Sequence, residues 1–111
     1  MGLFDFWKKS YESISPAAAQ ERIDAGAMLL DVRESSEYRA AHAPSAKLIS
    51  LGVLSKRLKE LPSEPEILVI CASGVRSSQA ASMLAKECFR VTNISGGMAS
   101  WQRAGLRTVK K

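Results

Sequence analysis

The residues Ile67-Leu68-Val69-Ile70 run directly into Cys71-Ala72-Ser73-Gly74-Val75-Arg76-Ser77, and an alanine-rich stretch follows. The apolar run predicts a buried strand and the alanine-rich stretch predicts a helix, so Cys71 lies on a short loop between them. The first turn of a helix has unpaired backbone N–H groups and a partial positive charge. A thiol placed there tends to ionise, and the thiolate is the reactive form. The pattern therefore predicts a cysteine nucleophile that is both ionised and accessible.

Strands and helices alternate along the rest of the chain. Together with residues 67–70, the predicted strands cover residues 28–32, 47–49 and 91–94. The predicted helices cover residues 16–25, 35–39, 51–61, 77–89 and 98–104, and Ser15 is the expected N-cap of the first. Continuous apolar strands that alternate with helices form parallel sheets covered on both faces. The sequence therefore predicts an α/β fold with a mainly parallel sheet and helices on both faces.

The composition is that of one domain with a moderate positive charge. The 111 residues include 16 basic and 11 acidic side chains, which gives a formal net charge of +5. This excess favours small anionic substrates, whereas the scattered basic residues and few aromatic residues make nucleic acid an unexpected partner. Two cysteines and one histidine are too few ligands for an ordinary zinc site, so no metal or other cofactor is expected. No signal peptide or membrane span is predicted, which favours a cytoplasmic location.

Residues 1–12 form an N-terminal aromatic and basic segment, and residues 13–111 form the predicted domain. Within the segment, Leu3, Phe6 and Trp7 have the spacing of one helical face, and two lysines follow them. We expect the segment to pack against its own domain. The alternative is that residues 3–9 dock onto a protein partner or a membrane surface.

The loop after Cys71 has the composition of an anion-binding cradle. Its backbone N–H groups can converge on one anion, because Gly74 accepts a positive φ. Arg76 either offers two parallel donors to an oxyanion or pairs with a nearby carboxylate. Ser73 orients the anion or caps the helix, and capping is the expected role of Ser77.

The second cysteine is the contrasting case. Cys88 shares one face of the predicted helix 77–89 with Ala80 and Leu84. We therefore expect it to be a buried and inert core residue. A disulfide with Cys71 stays open in principle, although nothing in the sequence points to an oxidising compartment.

Three segments, separated along the chain, together form a recognisable sequence pattern. The first is Leu29-Leu30-Asp31-Val32-Arg33 with Glu37-Tyr38 and His42-Ala43-Pro44. The second is the loop from Cys71 to Ser77, and the third is Gly96-Gly97-Met98-Ala99-Ser100-Trp101 with Ala104-Gly105-Leu106. In this order and spacing, over about residues 13 to 109, they resemble a single-domain rhodanese. The resemblance implies a five-stranded, mainly parallel sheet flanked by helices.

The resemblance also implies the chemistry of a sulfurtransferase. Cys71 would take sulfane sulfur from thiosulfate or a persulfide donor, hold it as a persulfide, and pass it to a thiol or cyanide acceptor. Asp31 and Arg33 match an Asp-x-Arg motif of the family and would brace the loops near the site, and His42 would be structural. The residues implied in binding the donor and the persulfide are Ala72, Ser73, Gly74, Val75, Arg76 and Ser77.

Two alternatives stay open beside this interpretation. A cysteine phosphatase or arsenate reductase on the same fold has five residues between cysteine and arginine, whereas four separate Cys71 from Arg76. A sulfur-carrier or docking module with little turnover is the other alternative. The family pattern Gly-His-Ile-Pro-Gly-Ala is replaced by residues 41–46, Ala-His-Ala-Pro-Ser-Ala. This change requires negative φ angles where the glycines are lost, and it bears on substrate preference.

Overall fold

A computed structural model describes residues 11–110 of the chain. Its strands are β1 Glu12–Ile14, β2 Met28–Asp31, β3 Lys47–Leu48, β4 Ile67–Ile70 and β5 Val91–Ile94. They form one five-stranded sheet in the order β1-β5-β4-β2-β3, and every neighbouring pair is parallel. The predicted α/β fold with a parallel sheet is confirmed.

The connections between the strands are helical. The helices are α1 Pro16–Asp24, α2 Ser35–Ala40, α3 Leu51–Leu54, a 3-10 helix Leu58–Glu60, α4 Val75–Lys86 and α5 Gly97–Arg103. Ser15 caps α1 as predicted, because its Oγ accepts the N–H of Ala18 at 3.1 Å. Within residues 11–110, no helix has the length and apolar character needed to cross a membrane.

Strand β4 lies in the middle of the sheet, and its side chains divide the core into two layers. Ile67 and Val69 pack in the same cluster as the buried residues of α4. Leu68 and Ile70 pack on the opposite face, in the same cluster as the buried residues of α1 and α5. This alternation is the one that a pleated strand imposes. Since all four side chains are 0% exposed, β4 is a rigid support for Cys71 at its carboxyl end.

Three elements differ from the sequence prediction by more than a one-residue shift of a boundary. β1 has no counterpart among the predicted strands, and it begins at Glu12, inside the predicted N-terminal segment. Residues 1–10, including the stretch 3–9 for which packing and docking are the alternatives, lie outside the described part of the chain. The predicted helix 51–61 is divided into α3 and the 3-10 helix, because the backbone leaves the helical region at Arg57 (φ −123°). α4 begins two residues before the predicted start and ends three residues before the predicted end.

The prediction that Cys88 is a core residue is wrong. Because α4 ends at Lys86, Cys88 follows the helix and does not share its buried face. Its side chain is exposed and its backbone has a φ of +68°. The helix closes with the N–H of Cys88 bonded to Ala85 and the N–H of Phe89 bonded to Leu84, which is a Schellman motif.

Candidate active site

Cys71 follows the last residue of β4, and its sulfur is enclosed by the loop that leads into α4. The backbone N–H of Gly74 donates to Sγ at 3.0 Å. The hydroxyl oxygen of Ser77 lies 3.4 Å from the same sulfur. The predicted thiol at the junction of a strand and a helix is therefore present, with two hydrogen-bonding groups directed at the sulfur.

The loop turns sharply at Gly74, which is the N-cap of α4. Its φ of +106° is a conformation that side-chain-bearing residues rarely adopt. This turn carries the N–H of Gly74 back over Cys71. It also places Ser77 inside the first turn of α4 and not at its cap. The predicted capping role of Ser77 is therefore wrong, because Ser77 lies three positions after the cap and its hydroxyl faces the sulfur.

The start of α5 holds the base of the loop. The N–H of Met98 donates to the carbonyl of Cys71 at 2.7 Å, and the N–H of Ala99 donates to the carbonyl of Ala72 at 3.1 Å. Gly97, with a φ of +57°, lies directly against this backbone. A Cβ there would collide with the Cys71 carbonyl oxygen and would lie 2.6 Å from the carbonyl carbon of Ala72. The close approach therefore requires glycine.

The surroundings of Cys71 favour its thiolate. Burial raises the pKa of the thiol, but the hydrogen bond from the Ser77 hydroxyl lowers it, as do the backbone N–H groups of Ser77, Gly74 and Ser73. The balance lowers the pKa of Cys71 below its ordinary value. Several neutral donors of the loop thus stabilise the negative charge of the thiolate. Their contribution is needed, because a helix dipole alone stabilises a charge only weakly.

The accessibility of Cys71 does not match the sequence prediction. The residue is 1% exposed, because the loop and the first turn of α4 wrap around it. The prediction of an accessible thiol is therefore wrong for the resting site. An atom that reacts with the sulfur must enter the loop, and this requirement favours reagents that end in one slim atom.

Arg76 is paired with a carboxylate and not directed at the sulfur. Its Nη1 and Nη2 donate to Oε1 and Oε2 of Glu37 at 2.8 and 2.9 Å. The two side chains are 33% and 34% exposed. The bidentate hydrogen bond with Arg76 lowers the pKa of Glu37 to about 2 and raises the pKa of Arg76. Of the two interpretations of Arg76, the carboxylate pair is the one present in this structure.

Asp31 and Arg33 form a buried ion pair behind the site. Nη2 of Arg33 donates to the Asp31 carboxylate at 2.8 Å, and the two residues are 6% and 0% exposed. The same guanidinium donates to the carbonyls of Glu37 and Ala41, at 3.3 and 2.8 Å. These contacts tie α2 to the end of β2, and Glu37 on α2 then holds Arg76 of the loop.

His42 is occupied by structural contacts. Its Nδ1 lies 2.7 Å from the carbonyl oxygen of Tyr38, and its ring stacks on the Tyr38 ring at 3.7 Å. Its backbone bridges to Val109. Ala41 has a φ of −171°, as expected where a glycine is lost.

Glu37 and Gly97 belong to two of the sequence motifs, but the sequence alone predicted no role for either. Glu37 carries the ion pair with Arg76, and Gly97 allows the contact with Cys71. The signal for Glu37 is its place on a short helix directly after the Asp31-x-Arg33 motif. Within residues 11–110, no three His, Cys, Asp or Glu side chains are grouped to hold a metal ion.

Comparison with known proteins agrees with this geometry. The rhodanese-like domain model matches residues 15–104. The chain is 42% identical over 95 residues to the "Putative sulfur carrier protein YrkF" of Bacillus subtilis, covering 83% of this chain and 51% of that protein. The chain thus spans about half the length of YrkF. It is 34% identical over 100 residues to the thiosulfate sulfurtransferase GlpE of Actinobacillus pleuropneumoniae serotype 3, covering 88% of this chain and 93% of GlpE.

A solved structure supports the same assignment. The crystal structure of a rhodanese-related protein from Thermoplasma volcanium superposes with a TM-score of 0.86 and 32% sequence identity. The match covers 91% of this chain and 100% of that protein. The matched domain contains both the cysteine loop and the Asp31–Arg33 pair behind it. The chain belongs to the rhodanese-like family.

Proposed function

We propose that this protein is a sulfurtransferase that moves sulfane sulfur through a persulfide on Cys71. The observation that carries the proposal is the enclosure of the Cys71 sulfur by the N–H of Gly74 and the hydroxyl of Ser77. The N–H of Gly74 can only donate, and the Ser77 hydroxyl can turn its proton towards a charged sulfur, so both groups suit a thiolate and then the terminal sulfur of a persulfide. The relatives named as a sulfurtransferase and a sulfur carrier support the same chemistry.

The first step loads sulfur onto the enzyme. With thiosulfate as donor, the Cys71 thiolate attacks the terminal sulfur atom, and a new S–S bond forms to Sγ. The S–S bond of thiosulfate breaks, and sulfite leaves with its electron pair. The product is a Cys71 persulfide anion, so atoms and charge balance. This is covalent catalysis, in which one transfer is divided into two displacements.

The second step unloads the sulfur. A thiolate or cyanide acceptor attacks the terminal sulfur of the persulfide and forms a bond to it. The S–S bond to Cys71 breaks, and its electron pair restores the thiolate. The Asp31–Arg33 pair takes no direct part in either step and fixes the position of α2 beside the loop.

The enclosure of Cys71 favours this reaction over phosphate chemistry. Four residues separate Cys71 from Arg76, one fewer than in the cysteine phosphatases considered above. A sulfane donor presents a single terminal sulfur, which suits a site where the cysteine is 1% exposed. A phosphoryl group is tetrahedral and needs a wider cradle with a free arginine. Arg76 is paired with Glu37 and does not supply one.

Intact-protein mass spectrometry after incubation with thiosulfate tests the proposal. We expect the mass of one sulfur atom to be added to the wild type and removed by a reductant. Cys71→Ser should abolish the addition, whereas Cys88→Ser is the matched control and should retain it. Equal loss in both variants would show that Cys71 is not the site, and the proposal would then be withdrawn.

A sulfur-carrier or docking module is the second candidate, and the similarity to YrkF favours it. A carrier loads one sulfur and releases it only to a specific partner. Turnover of thiosulfate with cyanide as a small acceptor separates the two candidates. Multiple turnovers support the sulfurtransferase, and stoichiometric loading without turnover supports the carrier. For the N-terminal segment, packing against its own domain stays the expectation and docking of residues 3–9 onto a partner or membrane surface stays the alternative. A cytoplasmic location remains a proposal.

A further inference from the structure

The charge around the active-site loop differs from the charge of the whole chain. The formal net charge is +5, which on its own favours anionic substrates. At the loop, however, Arg76 lies within electrostatic range of Cys71 and also interacts with Glu37 and Glu34, whose negative charges offset its own. Arg33 is already neutralised by Asp31. A doubly charged donor therefore gains little from the overall charge when it enters this site.

The pair between Arg76 and Glu37 occupies the end-on fork of the guanidinium and offsets its positive charge. Both terminal nitrogens of the guanidinium point at the carboxylate, in the bidentate geometry that also recognises sulfonate and phosphate oxygens. An incoming oxyanion must displace Glu37 before it can use this fork, and at the other N–H groups of Arg76 it meets a positive charge that Glu37 already offsets. Because the side chains are about a third exposed, this exchange is sterically open.

Glu37 is held firmly in its position. Its carboxylate also accepts the backbone N–H of Glu34 at 3.0 Å, and its backbone carbonyl accepts a hydrogen bond from Arg33. The pKa of Glu37 is lowered to about 2, so the carboxylate stays charged at any physiological pH. The Glu37 carboxylate thus always competes with an incoming anion for Arg76, and the fold fixes its position.

The remaining side chains of the loop carry no charge. Ala72, Ser73 and Gly74 are small, and Val75 is 66% exposed although it is a large apolar residue. An exposed valine beside the site lowers the local preference for a strongly hydrated dianion. It offers contact area to a donor with an apolar group.

We propose that Glu37 is a specificity-determining residue, which by occupying Arg76 favours singly charged sulfane-sulfur donors of the persulfide class over the dianion thiosulfate. The inference rests on the proposed function, since it concerns the donor from which Cys71 takes sulfur. Glu37 acts through Arg76 and is therefore a positioning residue.

Two donors that differ mainly in charge provide the test. Thiosulfate is doubly charged, and methanethiosulfonate replaces one sulfonate oxygen with a methyl group and is singly charged. In both reactions the Cys71 thiolate bonds to the terminal sulfur. Sulfite or methanesulfinate then leaves with the electron pair of the broken S–S bond. The measured quantity is the ratio of kcat/KM for thiosulfate to kcat/KM for methanethiosulfonate, with cyanide as acceptor.

Glu37→Gln keeps an oxygen for the N–H of Glu34 but removes the charge that holds Arg76. We expect the ratio to rise on the order of tenfold, the effect of one charge-assisted hydrogen bond gained by thiosulfate. Adding Arg76→Ala to Glu37→Gln should cancel the rise. Glu34→Gln is the matched control, because it removes one negative charge from the same helix end and leaves the bidentate pair intact, and its ratio should stay near that of the wild type.

A ratio is independent of the folded fraction, since both donors are assayed on the same protein. An unchanged or lower ratio in Glu37→Gln overturns the inference, and so does an equal rise in Glu34→Gln. If the wild type takes sulfur from neither donor, the proposed function fails and this inference fails with it. That result is distinct from a wild type that turns over both donors with a ratio insensitive to Glu37.

Discussion

The hydroxyl of Ser77 is the side-chain group that most directly stabilises a charged Cys71, because it lies 3.4 Å from the sulfur inside the first turn of α4. Ser77→Ala removes this donor and leaves the backbone N–H groups in place. We expect the pKa of Cys71 to rise and sulfur transfer at neutral pH to fall. The ultraviolet absorbance of the thiolate, titrated in a Cys88→Ser background so that one thiol remains, measures the shift.

Ser78→Ala is the control for this titration. Ser78 lies in the same turn of α4, but its hydroxyl donates to the carbonyl of Gly74 at 2.7 Å and not to the sulfur. Its removal should leave the thiolate titration near that of the parent. If both alanine variants shift the curve equally, the hydroxyl of Ser77 has no direct effect on the sulfur.

Cys88 occupies a backbone conformation that suits glycine. Its φ of +68° closes α4, and its exposed side chain contributes no core packing. Cys88→Gly should increase the free energy of unfolding by about 0.5–1 kcal/mol, because relief of the left-handed strain exceeds the added freedom of the unfolded chain. Urea unfolding measures the change. Cys88→Ser keeps the strain and should give no gain, so equal stability of the two variants would contradict the explanation.

The first turn of α5 packs directly against the backbone of the cysteine loop at Gly97. Gly97→Ala would push a methyl group into the backbone of Cys71 and Ala72, and the left-handed φ adds strain. We expect a loss of about 3 kcal/mol in the free energy of unfolding, together with reduced sulfur loading. Chemical denaturation and intact mass measure the two effects.

Gly105→Ala separates the clash from the strain. Gly105 has a φ of +76°, but a Cβ there meets nothing within 4 Å. Its substitution should cost about 1 kcal/mol from backbone strain alone and leave sulfur loading unchanged. Equal losses of stability at both positions would mean that the approach of α5 to the loop is not what requires Gly97.

Elements that local sequence patterns define could be predicted, whereas elements and contacts that depend on residues distant in the sequence could not. β4 and the cysteine loop were predictable, because an apolar run and a glycine-containing loop are local patterns. The three-residue β1 has two exposed positions and no apolar run, so only its pairing with β5 defines it. The partner of Arg76 lies 39 positions away, and no local pattern identifies it. The end of α4 was missed because Cys88, in place of glycine, hides the stop signal.

The separation between the start of β1 and the active site is a property of the whole sheet. β1 begins at the amino ends of the parallel strands, whereas Cys71 lies beyond their carboxyl ends. Deletion of residues 1–9 should therefore leave sulfur loading and turnover close to those of the full chain. Steady-state kinetics with thiosulfate and cyanide measure this, and circular dichroism confirms the fold. A large loss of turnover in a folded truncation would place the segment in the site.

β1 forms one edge of the sheet, and its pairing partner is β5, which is distant from it in the sequence. Ser13 pairs with Asn93, and the amide of Asn93 donates to the hydroxyl of Ser13 across 80 positions. During synthesis on the ribosome, β1 emerges well before β5 and cannot pair until the segment between them has been made. Closing so long a loop costs conformational entropy, and the contacts between β1 and β5 stabilise the fold only after the loop has closed. The nascent chain thus keeps β1 unpaired until β5 has left the ribosome, and the sheet gains this edge strand only then.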